Sequence, residues 1–444
     1  MKIKSMMKAV TAMAVATLPL SLSAQNPIVQ TCYSTDPAPL VHGDRLYVFT
    51  GHDEDKADFF WMNEWRLFST TDMVNWQDHG CPLKQCDFSW ADDRAWAAQC
   101  VERNGKFYFY VCLHSKISKG MAIGVAVADR VEGPYRDAIG KPLYEDGKWD
   151  HIDPTVLIDN DGQAYIYWGN PRLYSAKLGS DMTSLASEVK CDTTVARYTE
   201  GPWIMHHGDR YQMVYAAGGV PECIAYSESK KPQGPWKYVG EVMAQDNFTK
   251  SFTNHAGFAE YKGHNYFFYH TGWLPGGGGF GRSVSVEEFE WQKDGRLPLI
   301  KPTREGVRPI GTLNPYVRVE GETMAYSEGV KTEWNDKQRR VWVSDIHNGD
   351  WIKVREADLS QGATAIEALA ASALQGGNIE VRLDKPDGPV IASIDITPTG
   401  GWEEWQMFRA PVTAAVSGKH DIYFNFKGLK GCKLFNLDYW RIIK

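Results

Sequence analysis

Apolar and polar positions alternate in short runs along most of the chain, and turns that contain glycine separate the runs. The clearest example is the stretch 151–170, HIDPTVLIDNDGQAYIYWGN, in which Asp-Gly at 161–162 lies between the apolar runs VLI and AYIYW. This arrangement is typical of a β-hairpin. Asp153 stands just before the first run, and a carboxylate at the mouth of a buried strand is costly unless something uses it.

The same layout occurs at four other places, where a turn glycine is followed three or four residues later by the tyrosine of an aromatic run. The turn glycines of these copies are Gly43, Gly105, Gly208 and Gly263. The five tyrosines are 61, 57, 46 and 55 residues apart. Five copies of one hairpin at such a spacing are typical of radial repetition, which predicts a five-bladed β-propeller with one four-stranded sheet per copy.

One residue opens each copy, seven to nine positions before its turn glycine. These residues are Asp36, Trp96, Asp153, Glu200 and His255. The innermost strands of a propeller converge on its axis, so we expect the five side chains to meet in one pit. Asp before Pro is also common in loops, which would make these residues ordinary turn formers. Three acids at corresponding positions favour the pit.

The sequence pattern changes from about Tyr316, where the hairpin copies end. From there, short predicted strands such as WIKVREA, NIEVRLD and VIASIDI are separated by turns such as NGD and DGP. This pattern is typical of an antiparallel sandwich. The sequence therefore predicts an all-β chain. A five-bladed β-propeller over residues 25–312 is followed by a β-sandwich of the jelly-roll kind over residues 316–444.

Residues 1–24 have the features of a secretory signal peptide. Lys2, Lys4 and Lys8 are followed by an apolar stretch that ends in small residues. The stretch is too short and too broken for a membrane span. We therefore expect a periplasmic or secreted protein.

Composition excludes few functions. The formal net charge is −7 and no basic stripe is present, so we expect no nucleic-acid partner. Aromatic residues make up 13% of the chain, including 17 Trp, which suits both propeller cores and the apolar faces of sugar rings. The eight cysteines lack the spacing of a metal site.

Acids that meet in a pit are suited to glycoside hydrolysis. One carboxylate stays ionised and activates water, while a carboxylic acid protonates the leaving oxygen. A third carboxylate near the acid would raise its pKa by like-charge repulsion. Separation across a propeller axis leaves room for water, which favours inversion. The rival use of these acids with His255 is a central calcium site, because calcium prefers oxygen ligands. The two uses can coexist.

Four segments of the chain resemble family 43 glycoside hydrolases. The segments are STDPAPL at 34–40, 151–169, YTEGPWIMHHGDRYQMVYA at 198–216 and HAGFAEYKGHNYFFYH at 255–270. Enzymes of that family are five-bladed propellers that invert the anomeric configuration. The resemblance implies that Asp36 is the general base and Glu200 the general acid. It implies that Asp153 modulates the pKa of the acid and orients the sugar.

Trp96, Trp168, His255 and Arg282 are expected to bind the substrate. Trp96 opens WAAQCV, which takes the place of the family's Trp-Ala-Pro segment with alanine instead of proline. The resemblance implies that His255 lies near the axis, beside a calcium or water cluster, and that Arg282 reaches into the sugar site. The alternative for Arg282 is an ordinary salt bridge at a strand end.

The C-terminal part resembles family 6 carbohydrate-binding modules, through NGDWIKV at 348–354, TGGWEEW at 399–405 and FNLDYWRI at 435–442. The resemblance implies a structural calcium held by Glu320, Glu322 and Asp438; the alternative is a charged sandwich edge. Trp402 and Asn436 match two sugar ligands of that family, but the second aromatic residue is missing. The domain could therefore serve only to support the propeller.

These observations predict an inverting hydrolase that removes α-L-arabinofuranosyl side chains from arabinoxylan or a related plant cell-wall polysaccharide. The alternatives are a β-xylosidase acting on xylo-oligosaccharides and a glycan-binding propeller without catalysis. The last alternative predicts that no two of Asp36, Asp153 and Glu200 share a cleft.

Overall fold

The structure is a computed structural model that describes residues 25–444, so the signal-peptide prediction for residues 1–24 lies outside the described residues. The described part consists of β-strands and turns, with one short 3-10 helix at Gln85–Asp87. This confirms the all-β class. No helix within residues 25–444 has the length and apolar character needed to cross a membrane.

Five antiparallel sheets follow one another along residues 35–289. The first contains β1 (Thr35–His42), β2 (Arg45–Gly51), β3 (Glu64–Thr70), β4 (Trp76–Asp78) and β5 (Leu83–Lys84). The second contains β6 (Ala91–Asp93), β7 (Gln99–Arg103), β8 (Lys106–Ser115), β9 (Met121–Ala128) and β10 (Arg136–Asp137). The third contains β11 (Thr155–Ile158), β12 (Ala164–Trp168), β13 (Leu173–Lys177) and β14 (Lys190–Asp192).

The last two sheets are simpler. The fourth contains β15 (Tyr198–His207), β16 (Arg210–Ala217), β17 (Cys223–Ser229) and β18 (Lys237–Met243). The fifth contains β19 (Gly257–Tyr261), β20 (His264–Thr271) and β21 (Ser283–Phe289). The five predicted hairpins are β1–β2, β7–β8, β11–β12, β15–β16 and β19–β20. All five turn glycines have positive φ, a conformation that glycine adopts without steric cost.

The first strands of the hairpins pack against one another around the axis, and β1 contacts β19, which brings the first sheet against the last. A side chain at Gly257 in β19 would collide with the carbonyl oxygen of Pro37, at 2.4 Å from its Cβ. Residues before β1 also bind the fifth sheet, since the amide of Ile28 donates a hydrogen bond of 2.8 Å to the carbonyl of Val284. The ring is therefore closed by chain segments from its two ends.

The C-terminal domain is a sandwich of two sheets. One is formed by β22 (Val319–Glu320), β25 (Lys331–Asn335), β26 (Arg340–Ser344), β28 (Ala365–Ala371), β31 (Gln406–Pro411) and β33 (Asn436–Ile443). The other is formed by β24 (Tyr326–Glu328), β27 (Trp351–Asp358), β29 (Gly377–Leu383), β30 (Val390–Ile396) and β32 (Lys419–Lys427). Apolar side chains from both sheets form its core.

One strand of the C-terminal domain joins the propeller. Strand β23 (Thr323–Met324) pairs with β4, the outer strand of the first sheet. Beside it, Asn75 and the backbone of Arg355 exchange two hydrogen bonds of 2.8 and 2.9 Å. The domain thereby covers an edge that would otherwise present unpaired backbone groups.

Candidate active site

The predicted acids lie at irregular points of the inner strands. Asp36 has a φ of +50° and Asp153 a φ of +57°, in the left-handed region that non-glycine residues rarely adopt. Register shifts interrupt β1 beside Asp36 and β15 on both sides of Glu200. Such bulges break the alternation of a strand and redirect side chains. Here they accompany the orientation of Asp36 and Glu200 towards the axis, whereas the pairing of β11 with β12 after Asp153 has no such shift.

The positions of the acids correspond less closely than the sequence predicts. Asp36 and Asp153 each precede a proline, but in the fourth copy the residue before the proline is Gly201, and Glu200 comes one position earlier. Gly201 has the same left-handed backbone, with a φ of +60°. A Cβ there would lie 2.9 Å from Nδ1 of His255, so glycine allows both the φ and the close approach.

The three acids share one cavity of about 200 Å³ at the axis, called the pit below. It is lined by Asp36, Phe59, Phe60, Trp96, Ala97, Ile152, Asp153, Asn170, Glu200, Thr253, His255 and Arg282. These residues come from all five blades, some from strands and the others from the loops beside them. The pit therefore depends on the closed ring.

Asp36 is surrounded by positively charged and hydrogen-bonding groups. Its Oδ1 lies 3.4 Å from Nη1 of Arg282, 3.2 Å from Nδ1 of His270 and 3.9 Å from Nδ1 of His255. Burial alone would raise the pKa of Asp36, but Arg282 and the hydrogen bond with His270 hold it well below its usual range. Burial lowers the pKa of His255 to about 4, so this histidine is neutral at pH 7. Asp36 is therefore ionised.

The surroundings of Glu200 and Asp153 raise the pKa of both carboxyl groups, which is opposite to their effect on Asp36. Burial raises the pKa of Glu200, and the charge of Asp36 raises it further, although a hydrogen bond of 2.5 Å from Asn170 acts against the shift. Burial also raises the pKa of Asp153 well above its usual range, with the charges of Glu200 and Asp36 adding to the effect. Oδ2 of Asp153 accepts a hydrogen bond of 3.0 Å from the backbone amide of Gly201. The pit thus combines a carboxylate whose pKa is lowered with two carboxyl groups whose pKa values are raised.

Arg282 is fixed by a second buried carboxylate. Asp53 accepts hydrogen bonds from the backbone amide, Nε and Nη2 of Arg282, at 2.9, 2.9 and 2.8 Å. The guanidinium lies 4.9 Å from the ring centre of Phe60. Sequence reasoning did not single out Asp53, which comes from the loop after β2. The ion pair nevertheless leaves Nη1 of Arg282 directed at Asp36.

A fourth acid lies beside the pit and was also missed. Glu222 is buried, and its Oε2 accepts a hydrogen bond of 2.8 Å from the backbone amide of Asn254, next to His255. Its other oxygen has no hydrogen-bond partner. Burial raises the pKa of Glu222 to about 9, and the charge of Glu200 contributes to the shift. Its sequence, VPEC, gives no signal beyond an acid next to a strand.

The structure places three of the four residues predicted to bind the substrate in the wall of the pit and the fourth outside it. Trp96, His255 and Arg282 line the pit. Trp168 does not, because its side chain is fully buried within the third blade. There it stacks on Tyr174 at 5.9 Å and donates a hydrogen bond of 2.9 Å to Nδ1 of His151. An indole without exposed surface cannot contact a sugar.

The glycine-rich segment 274–281 lies against aromatic rings beside the pit. The ring of Phe280 is 4.9 Å from that of Phe60 and 5.3 Å from that of Phe252. A Cβ on Gly279 would lie 1.8 Å from the ring of Phe252, so this glycine lets the ring pack directly on the backbone. The glycines therefore permit close packing beside the pit.

The predicted calcium ligands of the C-terminal domain are largely engaged with arginine. Asp438 is fully buried and forms ion pairs with Arg340 and with Arg318, and Glu320 lies 2.7 Å from Arg318. Glu322 is buried with Oε2 unpaired, and burial raises its pKa well above the usual range. Across residues 25–444, no group of three or more His, Cys, Asp or Glu side chains is arranged to hold a metal ion.

This arrangement does not favour the predicted metal site, because guanidinium groups already pair with Asp438 and Glu320, and burial raises the pKa of Glu322 and so disfavours its charged form. The expectation of calcium beside His255 meets the same difficulty, since Arg282 and His270 contact Asp36 there. A larger cavity, of about 570 Å³, lies between the two domains. Its lining includes Arg318, Arg340, Glu320 and Glu322 of the C-terminal domain.

The predicted sugar ligands of the C-terminal domain already have partners within the protein. Nζ of Lys433 lies 4.6 Å from the ring centre of Trp402 and donates a hydrogen bond of 2.8 Å to Ser344. Asn436 is buried and donates to the carbonyl of Trp402 at 2.8 Å. Trp342, near the position of the missing aromatic residue, is fully buried. Of the expected sugar-binding pair, Asn436 is therefore buried and Trp402 is only partly exposed.

Two family models match the chain. Residues 24–297 match Glycosyl hydrolases family 43, and residues 320–444 match Carbohydrate binding module (family 6). An arabinoxylan arabinofuranohydrolase from Paenibacillus polymyxa is 32% identical over 480 residues, with 94% of this chain and 74% of that protein covered.

Two solved structures are also similar. The first is a glycoside hydrolase family 43 arabinoxylan arabinofuranohydrolase from Bacillus subtilis in complex with cellotetraose. It has a TM-score of 0.85 and 29% identity, covering 95% of this chain and 98% of that one. The second is a family 43 β-xylosidase/α-arabinofuranosidase from a compost microbial metagenome, in complex with xylotriose and in a calcium-free form. It has a TM-score of 0.57 and 26% identity, covering 62% of this chain and 97% of that one.

Proposed function

Because the chain belongs to glycosyl hydrolases family 43, we propose that it removes α-L-arabinofuranosyl side chains from arabinoxylan, with inversion at the anomeric carbon. The observation that carries this proposal is the opposite displacement of two pKa values in one pit. Asp36 is held ionised, whereas Glu200 is shifted towards its protonated form. A base and an acid that face one another across a sugar-sized cavity are the requirement for inverting hydrolysis.

In the proposed reaction, Glu200 donates its proton to the glycosidic oxygen as the bond to the anomeric carbon breaks. Asp36 accepts a proton from the water that attacks the same carbon from the opposite face. The products are free arabinose and the hydroxyl group of the polysaccharide, with one proton moved from Glu200 to the leaving oxygen and one from water to Asp36. Arg282 keeps Asp36 ionised between turnovers, and Asp153 raises the pKa of Glu200 when it carries charge.

The substrate assignment rests on the relatives. Two of the similar proteins described above are both arabinoxylan arabinofuranohydrolases, and each match covers nearly the whole chain, including the C-terminal domain. The second candidate is β-xylosidase activity, which the shorter match combines with arabinofuranosidase activity. A glycan-binding propeller without catalysis is disfavoured, because it has no need for two acids with opposed pKa shifts.

The test is a panel of nitrophenyl α-L-arabinofuranoside, nitrophenyl β-D-xyloside, arabinoxylan and linear arabinan. We expect release of arabinose from the first and third substrates. Asp36→Asn and Glu200→Gln should each reduce turnover below about one thousandth of wild type, and Glu260→Gln, on the exposed face of β19, serves as the matched control. Wild-type-like turnover in either variant removes that residue from catalysis. Proton NMR of a fresh digest should show the inverted anomer first.

For the C-terminal domain we propose a supporting role. Strand β23 completes the edge of the first blade, while Lys433 covers Trp402. We further propose that Arg318 and Arg340 supply, beside Glu320 and Asp438, the positive charge that the resemblance to family 6 modules assigns to calcium. Export remains a prediction from residues 1–24.

A further inference from the structure

Two aromatic side chains are exposed beside the pit. Phe59 is 38% exposed and Trp61 42% exposed, and both belong to the insertion between β2 and β3. Their ring centres are 5.6 Å apart. Exposed apolar rings next to a binding cavity are uncommon on a surface that has no partner. Together with Arg94, these residues are called the aromatic ridge.

The ridge is held in place from one side. The guanidinium of Arg94 lies 4.6 Å from the ring centre of Trp61 and 5.1 Å from that of Phe59. Arg94 is mostly buried and forms an ion pair with Asp93. The indole nitrogen of Trp61 donates a hydrogen bond of 3.0 Å to Asp58. The arginine therefore occupies one face of each ring, and the rings keep exposed surface without freedom to collapse.

The ridge is continuous with the pit. Phe59 is part of both, and its ring centre is 6.5 Å from that of Trp96 in the pit wall. The amide of Ala95 donates a hydrogen bond of 3.0 Å to the carbonyl of Met62, which ties the insertion to the segment carrying Trp96. The pit has the volume of about one monosaccharide. A branched polysaccharide that places one side-chain sugar in the pit must therefore lay its main chain on the surrounding surface.

We propose that the aromatic ridge binds the pyranose main chain of the polysaccharide while the side-chain sugar occupies the pit, an inference that rests on the proposed function. The carbon-bound hydrogens of a pyranose ring form an apolar face that stacks on an indole or phenyl ring. The ridge then distinguishes polymeric substrates from small glycosides. This proposal gives the insertion between β2 and β3 a role in substrate binding, which the acids of the pit do not require.

The test compares Trp61→Ala with wild type on arabinoxylan and on nitrophenyl α-L-arabinofuranoside. We divide kcat/KM on the polymer by kcat/KM on the small glycoside, and we expect this ratio to fall about tenfold because one stacked ring is lost. The fall should come from a higher KM on the polymer and not from a lower kcat. Trp61→Phe should restore most of the ratio. The control is Phe248→Ala, which removes an exposed ring whose closest aromatic neighbour is Trp273.

An unchanged ratio in Trp61→Ala, or an equal fall in Phe248→Ala, overturns the proposal. So does a change in molecular mass by sedimentation with no change in ratio, which would make the ridge a contact between copies of the chain. If the wild type hydrolyses neither substrate, the proposed function fails, and the ridge is tested separately by affinity electrophoresis in gels containing arabinoxylan. Trp61→Ala must then migrate faster than wild type through those gels, or the ridge proposal fails as well.

Discussion

Replacing Glu222 by glutamine should stabilise the protein, although it changes a buried residue beside the pit. The unfolded chain releases the proton of this carboxyl group near pH 4.5, whereas the folded chain keeps it to about pH 9. Between these values unfolding releases a proton, so stability falls as pH rises. Below pH 4.5 both states are protonated and the cost disappears.

The size of the effect follows from the same two values. Each pKa unit corresponds to about 1.36 kcal/mol. Since pH 7 lies 2.5 units above 4.5, the protonated burial of Glu222 costs about 3 kcal/mol at pH 7. The cost is less than about 1 kcal/mol at pH 5 and about 5 kcal/mol at pH 8. Glutamine does not titrate, and its carbonyl oxygen can still accept the hydrogen bond from Asn254.

The assay is calorimetric unfolding of wild type and Glu222→Gln at pH 5 and pH 8, with Glu260→Gln as an exposed control. A gain of 3 kcal/mol corresponds to a rise in Tm of roughly 5 °C or more for a domain of this size. We expect a small rise at pH 5 and a larger one at pH 8. A gain that is equal at the two pH values, or a loss at both, would refute the reasoning, because only a titrating group makes the difference depend on pH.

The two central acids should affect stability in opposite directions. The folded state stabilises the ionised form of Asp36 at pH values above the unfolded pKa, so Asp36→Asn should lower Tm at pH 7. The folded state disfavours the ionised form of Glu200, so Glu200→Gln should leave Tm unchanged or raise it. Equal shifts in the two variants would contradict the pKa assignments. Asn170→Ala removes a hydrogen bond that lowers the pKa of Glu200, so the alkaline limb of the pH–rate profile should move to higher pH, and a limb that stays in place would count against Glu200 as the acid. EDTA should change Tm by less than about 2 °C, since arginines balance the acids of the C-terminal domain, and a larger fall restored by calcium would show that calcium is structural. Trp402→Ala should leave retardation by xylan in native gels unchanged, and faster migration would mean that the C-terminal domain binds sugar.

The repeated features of the chain were predictable from the sequence. A hairpin leaves a local signal, namely a turn glycine between alternating runs, and five such signals at regular spacing specify five sheets. The convergence of Asp36, Asp153 and Glu200 follows from that repetition, because equivalent strand ends in a propeller meet at one face. The one-residue displacement of Glu200 is visible in the sequence only relative to the proline, because Pro202 follows Gly201; the bulges that redirect the Glu200 side chain leave no mark on the pattern of apolar positions.

Trp168 shows where the reasoning from pattern fails. It ends the apolar run AYIYW, in which alternate side chains point to opposite faces of a strand. Sequence cannot say which face of a propeller blade borders the axis and which packs on a neighbouring sheet, because both faces are buried. Position within an apolar run is therefore weaker evidence for substrate contact than position at or just before the start of a hairpin's first strand, where Asp36 and Asp153 lie.

The distinction between base and acid has a source that the repeat cannot reveal. Three of the five equivalent strand ends supply acids, all at least partly buried, and burial alone would raise the pKa of each of them. Asp36 differs because Arg282 lies beside it, and Arg282 is directed there by Asp53. Neither residue occupies a repeated position: Asp53 belongs to the insertion after β2, and Arg282 follows the glycine-rich segment before β21. The chemistry of the pit therefore depends on two irregular segments of an otherwise regular scaffold, and exchanging them between related propellers should move the ionised carboxylate more readily than exchanging the inner strands.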